Sequence, residues 1–140
     1  MSFQFNASFP WDTATPGRAR SWAAEQISGA LLNSALLSAG LDDVVLVVSE
    51  LVTNALQAGC SSADLRIEVD ADTVTVAVTD DAPGEPVAVH AGPEDVHGRG
   101  LFVVAALASD WGVRKADRGK EVWALLPVVL GEVRAEPTAG

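Results

Sequence analysis

The length, composition and charge of the chain favour one soluble globular domain and exclude several classes of protein. With 140 residues, 49% of them hydrophobic, the chain can bury a core of its own and is not disordered in composition. The net charge of −10 argues against direct binding to nucleic acid. The sequence has no bilayer-length apolar run, no secretory signal and a single cysteine, Cys60. We therefore expect a cytoplasmic protein without a membrane span, a disulfide or a cysteine metal cluster.

The first predicted element is a strand. Apolar and polar residues alternate in 2–10, which predicts an edge strand that ends at Pro10. After it, Thr15 and Pro16 are typical of an N-cap followed by proline at the first helical position. The sequence therefore predicts that a helix begins here.

Glycines mark the ends of two predicted helices. The first helix is expected to continue to Gly40, with an interruption around Gly29. The second is expected from about Leu41 to Gly59, where glycine again supplies a stop. Two consecutive helices therefore separate the first strand from the rest of the chain.

The remaining elements are predicted to be mostly strands. The alternating runs 63–70 and 73–80 predict an antiparallel hairpin with one covered face. A loop rich in proline, glycine and acidic residues follows, and then a short helix over 100–109. Two closing strands are expected at 111–115 and 121–128. The order predicts a single α+β domain over 1–130. We expect a two-layer sandwich, with a mixed, mostly antiparallel sheet and helices on one of its faces. Residues 131–140 are expected to be a frayed tail.

The second predicted helix carries two polar residues suited to chemistry. Glu50 and Asn54 are four residues apart, so their side chains lie one turn apart on the same helix face. An asparagine oxygen can ligate a hard cation, and a glutamate can take a proton from a hydroxyl. The alternative is that this is only the solvated face of an amphipathic helix, and the helix alone favours that alternative.

Two glycine-containing loops could form the rest of a nucleotide site. Asp80 ends a predicted strand and is followed by a turn that contains Gly84, so a carboxylate and a closely approaching backbone could meet an amino-bearing ring. Gly98 and Gly100 open a predicted helix, where free backbone N–H groups bind phosphate well. Each pattern is weak alone, because such turns and helix starts are common.

In combination, these segments resemble the motifs of the GHKL (Bergerat-fold) superfamily of ATP-binding domains. The run 50–55 resembles its N box, 79–84 its first glycine box and 97–101 its second. Three further segments are similar to the bacterial anti-sigma factor serine/threonine kinases: 18–20, 110–113 and 119–123. The resemblance covers roughly 9–127.

The resemblance implies a role for each matching residue. Glu50 is expected to be the general base, and Asn54 to ligate Mg²⁺. Asp80 is expected to accept a hydrogen bond from the adenine amino group. Phosphate and adenine contacts are expected from residues of the two glycine boxes: Gly84, Gly98, Arg99, Gly100 and Leu101. The segment 85–97 is expected to form a short lid. The implied substrate is ATP. The implied partners are a sigma factor and an anti-anti-sigma (STAS-type) protein, with a homodimer as an expected assembly.

Several departures from the family pattern keep a second function open. Ala82 replaces the central glycine of the first box, Gln57 stands where a basic residue or histidine often follows the N box, and Glu121 replaces a hydroxyl residue of the last strand. The lid is also short and acidic. These departures favour the alternative that the chain is a noncatalytic module that senses ATP or binds a partner.

Overall fold

The computed structural model describes residues 3–30, 35–36, 38–70, 72–82, 98–127 and 130–131. Within them the chain forms a five-stranded sheet, a two-stranded sheet and a layer of helices. The elements in chain order are β1 (Phe3–Pro10), α1 (Thr15–Ala30), β2 (Ala35–Leu36), α2 (Ser38–Gln57), β3 (Ser62–Val69), β4 (Thr73–Asp80), α3 (Gly98–Leu107), β5 (Asp110–Lys115), β6 (Lys120–Pro127) and β7 (Leu130–Gly131).

The main sheet has the strand order β1-β3-β4-β6-β5, and each of its described pairings is antiparallel. β1 is thus the edge strand that its alternating sequence predicts, and β3 and β4 form the predicted hairpin. The expectation of a mixed sheet is not borne out among these pairings. Alternation along each strand places apolar side chains on one face and mostly polar ones on the other.

The helices cover the apolar face of the sheet. α2 lies in the middle and packs on β3, β4 and β6, while α1 and α3 flank it over opposite parts of the sheet. The core between the layers is aliphatic, and its largest fully buried side chains include Ile27, Leu51, Leu65, Ile67 and Leu126. The fold is therefore the predicted two-layer α+β sandwich.

The helix boundaries differ from the prediction. α1 ends at Ala30 and α2 begins at Ser38, so Gly40 lies inside the second helix and does not end the first. The apolar sequence around 31–41 continues a helical pattern, which is why the boundary could not be placed from periodicity. The stop at Gly59 is confirmed, because its φ of +93° is the left-handed conformation that ends helices.

Thr15 does not act as the predicted N-cap. Its buried hydroxyl donates to the Pro10 carbonyl at 2.8 Å, and therefore ties the start of α1 to the end of β1. Asp12 accepts a hydrogen bond from the backbone N–H of Ala14 at 2.7 Å just before the helix. Asp12, three positions before the predicted N-cap, thus satisfies a free N–H at this helix start.

The C-terminal strands agree with the prediction to within a residue at each end. One difference is that Gly131, assigned to a frayed tail, pairs with Ala35 in the small β2–β7 sheet. The rest of that predicted tail, 132–140, lies outside the described residues. None of the helices in the described ranges combines the length and hydropathy that a bilayer crossing requires.

Candidate functional site at one end of the sheet

Asp80 is a buried carboxylate at the end of a central strand. The alternation of β4 turns its side chain toward the helices, and that side chain is 1% exposed. Its Oδ2 accepts a hydrogen bond from Lys120 Nζ at 2.7 Å, and its Oδ1 accepts one from the Ala82 backbone N–H at 2.9 Å. Buried charges are stable only when they are paired in this way. The sequence predicted the position of Asp80 but not its partner.

The backbone of Gly119 approaches the end of β4 very closely. A Cβ at this position would lie 2.0 Å from the Asp80 carbonyl oxygen and 2.9 Å from the Asp81 Cα, so only glycine fits. The turn is closed by a hydrogen bond from the Ala116 N–H to the Gly119 carbonyl at 3.0 Å. Gly119 therefore holds the β5–β6 turn against the site and fixes the position of the next residue, Lys120.

The neighbouring acid, Asp81, has a structural role. Its carboxylate accepts hydrogen bonds from the Ser61 hydroxyl, from the Ser61 N–H at 2.8 Å and from the Ser62 N–H at 3.4 Å. The Ser61 hydroxyl and then the Ser61 N–H lower the pKa of Asp81 from its ordinary 3.8 to about 2. Of the two consecutive aspartates, the first points into the site and the second fastens the start of β3.

Helix α2 presents the predicted pair of polar side chains. Glu50 and Asn54 are both half-buried, whereas Val44, Val48 and Val52 on the opposite face are completely buried. The helix is therefore amphipathic as predicted, and the polar pair is too enclosed to be a fully solvated face. Ser49, the residue before Glu50, is buried.

Ser49 connects α2 to the first helix. Its hydroxyl accepts a hydrogen bond from Arg20 Nη1 at 2.8 Å. Arg20 belongs to the segment 18–20 that resembles the anti-sigma kinases, so this segment contacts the residue that precedes Glu50 in α2. The sequence comparison marked Arg20, but nothing in the periodicity indicated that it would reach α2.

Helix α3 begins at the predicted second glycine box. Gly98, Arg99 and Gly100 form its first turn, and the next residue, Leu101, is half-buried and packs against the core. The backbone N–H groups of a first helical turn have no partner within the helix. Gly84 and the predicted lid lie outside the described residues.

The chain connections bring α2 to the Asp80 end of the sheet. After α2 ends, the chain turns at Gly59, and β3 begins at Ser62. The next residue, Ala63, pairs with Asp80. The C-terminal turn of α2, which contains Asn54, is therefore near the end of β4.

α3 runs the opposite way, so its first turn faces the same end. It ends close to β5, whose first residue, Asp110, pairs with Leu125 at the far end of β6 from Lys120. α3 packs on both α2 and β5 and spans about 15 Å. Its N-terminus therefore points back toward the Asp80 end of the sheet. One end of the sandwich thus collects the C-terminal part of α2, the tip of β4 and the start of α3.

Glu121 lies on the other face of the sheet. Its carboxylate pairs with Arg114 Nε at 2.6 Å and with Arg66 Nη2 at 3.3 Å, and Arg114 also lies over the Trp123 ring at 5.5 Å from its centroid. Glu121 therefore faces away from the side of the sheet that carries the Asp80 side chain. Strand alternation places Lys120, the residue before it, in the site.

The outer face also holds a cavity of about 540 Å³ next to this network. Its lining contains five acidic residues against the two basic residues Lys115 and Arg118: Asp64, Asp80, Asp81, Asp117 and Glu121. Of these acids, Asp80 is the one whose side chain turns toward the helices. An excess of acidic groups disfavours a polyphosphate.

Cys60 lies near the base of the site. It is 3% exposed, and burial, followed by the charges of Asp80 and Asp81, raises the pKa of its thiol. A protonated, buried thiol is a packing group rather than a nucleophile.

The described residues contain no cluster of three or more histidine, cysteine, aspartate or glutamate side chains suited to a metal ion. A magnesium ion held mainly by nucleotide phosphates needs only one or two protein ligands. The half-buried Asn54 could supply one. Among the described residues, the donor set therefore fits Mg²⁺ bound together with a nucleotide, and does not fit a metal held by protein alone.

The fold is an α+β sandwich that brings parts of α2, β4 and α3 together at the Asp80 end of the sheet. The chain belongs to the family described as histidine kinase-like ATPase domain, whose model matches residues 9–126. A search of curated proteins found no significant match. The family match shows the class of the domain, and it does not extend to the partners or the reaction of this chain.

Proposed function

We propose that the chain is an ATP-dependent anti-sigma factor serine/threonine kinase, which phosphorylates an anti-anti-sigma partner and sequesters a sigma factor. The observation that carries the proposal is the meeting of three groups at one end of the sheet. These are the Glu50–Asn54 face of α2, the Asp80 carboxylate and the first turn of α3. Membership of an ATPase-domain family supports ATP as the ligand.

Each of these groups suits one part of the nucleotide. Asp80 has free lone pairs for the adenine amino group, since a carboxylate can accept about four hydrogen bonds and two are made within the chain. The backbone N–H groups of Gly98, Arg99 and Gly100 suit phosphate oxygens. Asn54 would hold Mg²⁺, which when bound neutralises phosphate charge.

The transfer step needs little chemical equipment. The Glu50 carboxylate takes the proton of a serine or threonine hydroxyl, the hydroxyl oxygen forms a bond to the γ-phosphorus, and the bond from that phosphorus to the bridging oxygen breaks to release ADP. Positioning and charge neutralisation supply most of the rate enhancement in such reactions. A single half-buried base one helical turn from Asn54 is therefore sufficient.

The proposed protein partners rest on the resemblance of 18–20, 110–113 and 119–123 to the anti-sigma kinases. The structure adds that Arg20 bonds to Ser49, next to Glu50. This contact ties the first helix to the turn of α2 that carries the proposed base. The partner surface and a homodimer stay predictions.

Binding is tested by calorimetric titration with ATP, with and without Mg²⁺. The intact chain is expected to bind MgATP, and Asp80→Asn is expected to weaken binding by roughly tenfold or more, since the loss of a hydrogen bond to a charged group costs about 1.5–3 kcal/mol. Asp64→Asn, on the outer face, is the matched control and should bind as the intact chain does. No binding by the intact chain would refute the proposal.

Transfer is tested with γ-labelled ATP and a panel of anti-anti-sigma proteins. Label should move to a serine or threonine of one of them, and Glu50→Gln should abolish transfer while leaving ATP binding within about twofold. Glu25→Gln, an exposed glutamate on α1, is the control. Undiminished transfer by Glu50→Gln would remove Glu50 from the mechanism.

A noncatalytic nucleotide-sensing module is the second candidate. It is favoured by Ala82, which replaces the central glycine of the first box and is buried beside Asp80. Tight MgATP binding with no transfer to any acceptor would select this candidate.

A further inference from the structure

The ion pair between Lys120 and Asp80 places a donor beside an acceptor within the site. Lys120 Nζ lies 2.7 Å from Asp80 Oδ2, and the lysine side chain is 18% exposed. The two residues are direct partners in the β4–β6 register, so both side chains leave the sheet on the helix face. The close approach of Gly119 to β4 fixes the strand end that carries Lys120.

Both groups keep unused hydrogen-bonding capacity. The carboxylate uses one lone pair on each oxygen, for Lys120 and for the Ala82 N–H, and each oxygen has a second. The ammonium has three protons, and one goes to Asp80. A planar ring edge that presents a donor and an acceptor side by side can therefore bond to both groups.

We propose that Lys120 determines base specificity, by donating a hydrogen bond to N1 of the adenine whose 6-amino group donates to Asp80. This proposal rests on the proposed function, because it requires a nucleotide at Asp80. In guanine and hypoxanthine position 6 is an acceptor and N1 is a donor, so both contacts are reversed. A reversed pair leaves buried polar groups opposed to like groups, and sites of this kind discriminate strongly.

The expected discrimination follows from general magnitudes. A good pair of hydrogen bonds to a base edge is worth roughly 10- to 100-fold in binding against the wrong base. The intact chain should therefore bind ATP at least about tenfold more tightly than ITP or GTP. If Lys120 only neutralised Asp80 in the empty site, adenine would have to displace it. Lys120→Met would then bind ATP more tightly than the intact chain.

The test is a cycle of two ligands and two proteins, measured by calorimetry. 1-Deaza-ATP lacks the N1 acceptor but keeps the 6-amino group, and Lys120→Met lacks the donor. The intact chain is expected to bind 1-deaza-ATP about tenfold more weakly than ATP, whereas Lys120→Met should bind both equally. 7-Deaza-ATP, which keeps N1 and the amino group, is the ligand control. Lys115→Met, the exposed residue paired with Lys120 on β5, is the protein control.

The outcomes separate this inference from the proposed function. Equal binding of ATP and 1-deaza-ATP by the intact chain overturns the role of Lys120 and leaves ATP binding intact. An unchanged ligand ratio in Lys120→Met, or tighter ATP binding by that variant, also overturns it. If Lys120→Met does not fold, the affinity for ATP relative to 1-deaza-ATP is compared between the intact chain and Lys120→Gln. Because glutamine keeps a donor, both proteins should prefer ATP, and equal binding of the two ligands would overturn the inference. No ATP binding by the intact chain refutes the proposed function, and the inference with it.

Discussion

Substituting alanine for Gly119 tests how the β5–β6 turn is held against the end of β4. The added Cβ would lie 2.0 Å from the Asp80 carbonyl oxygen, whereas ordinary carbon–oxygen contacts are roughly 3.3–3.6 Å. The turn therefore has to retreat by more than about 1 Å. The neighbouring atom belongs to the backbone of a central strand, so it has little freedom to move.

The retreat has two costs. Overpacking of this kind costs about 1–3 kcal/mol. Moving the turn also stretches the Lys120–Asp80 contact, now 2.7 Å, beyond hydrogen-bonding distance, at about 1.5–3 kcal/mol for a bond to a charged group. We expect Gly119→Ala to lower the free energy of unfolding by about 3 kcal/mol, and the melting temperature by roughly 10 °C.

The assay is urea denaturation of the variant beside two glycine controls. A Cβ at Gly29 meets nothing within 4 Å, and one at Gly17 meets only the flexible end of Arg20 at 3.6 Å. Alanine at these helical positions should be neutral or stabilising by up to about 1 kcal/mol. If Gly119→Ala is as stable as these controls, the close packing of the turn on β4 is not what positions Lys120.

Two further perturbations test the contacts around the site. The lowered pKa of Asp81 means that its stabilising effect is complete above its ordinary value of 3.8 and is lost as the pH falls toward about 2. The free energy of unfolding of the intact chain should therefore fall more steeply between pH 4 and pH 2 than that of Asp81→Asn, as measured by denaturation across that range. Parallel curves for the two proteins would contradict a stabilising role of the hydrogen bonds from Ser61 to Asp81. Thr15→Val removes the buried hydroxyl that donates to Pro10 and should cost about 1–2 kcal/mol in urea denaturation. Thr13→Val, at an exposed position, should not measurably change the free energy of unfolding. Equal free energies of unfolding for the two variants would show that the bond from Thr15 to Pro10 does not stabilise the fold.

Much of the fold is predictable from local patterns. Alternation in 63–70 and 73–80 gave the β3–β4 hairpin and its buried face, because a strand buried on one side must repeat every two residues. The helical period of 43–58 placed Glu50 and Asn54 away from the core. The end of α1 was misplaced because the apolar sequence near Gly40 suits a helix on either side of the break.

Parts of the site could not be predicted. Family motifs directed attention to Glu121, and only the strand register shows that Lys120 faces Asp80. The signal was present, since Val122, Ala124 and Leu126 are apolar and alternate in phase with residue 120. The bonds of Thr15 to Pro10 and of Arg20 to Ser49 join separate elements, so no local pattern contains them.

The claim on which the account depends is that one nucleotide contacts α2, β4 and α3 together. A crystal structure with a nonhydrolysable ATP analogue and Mg²⁺ tests it most directly. The account predicts the 6-amino group of adenine within hydrogen-bonding distance of Asp80, the phosphates at the first turn of α3, and Asn54 beside the metal. An analogue bound in the outer-face cavity, or with its adenine away from Asp80, would contradict it.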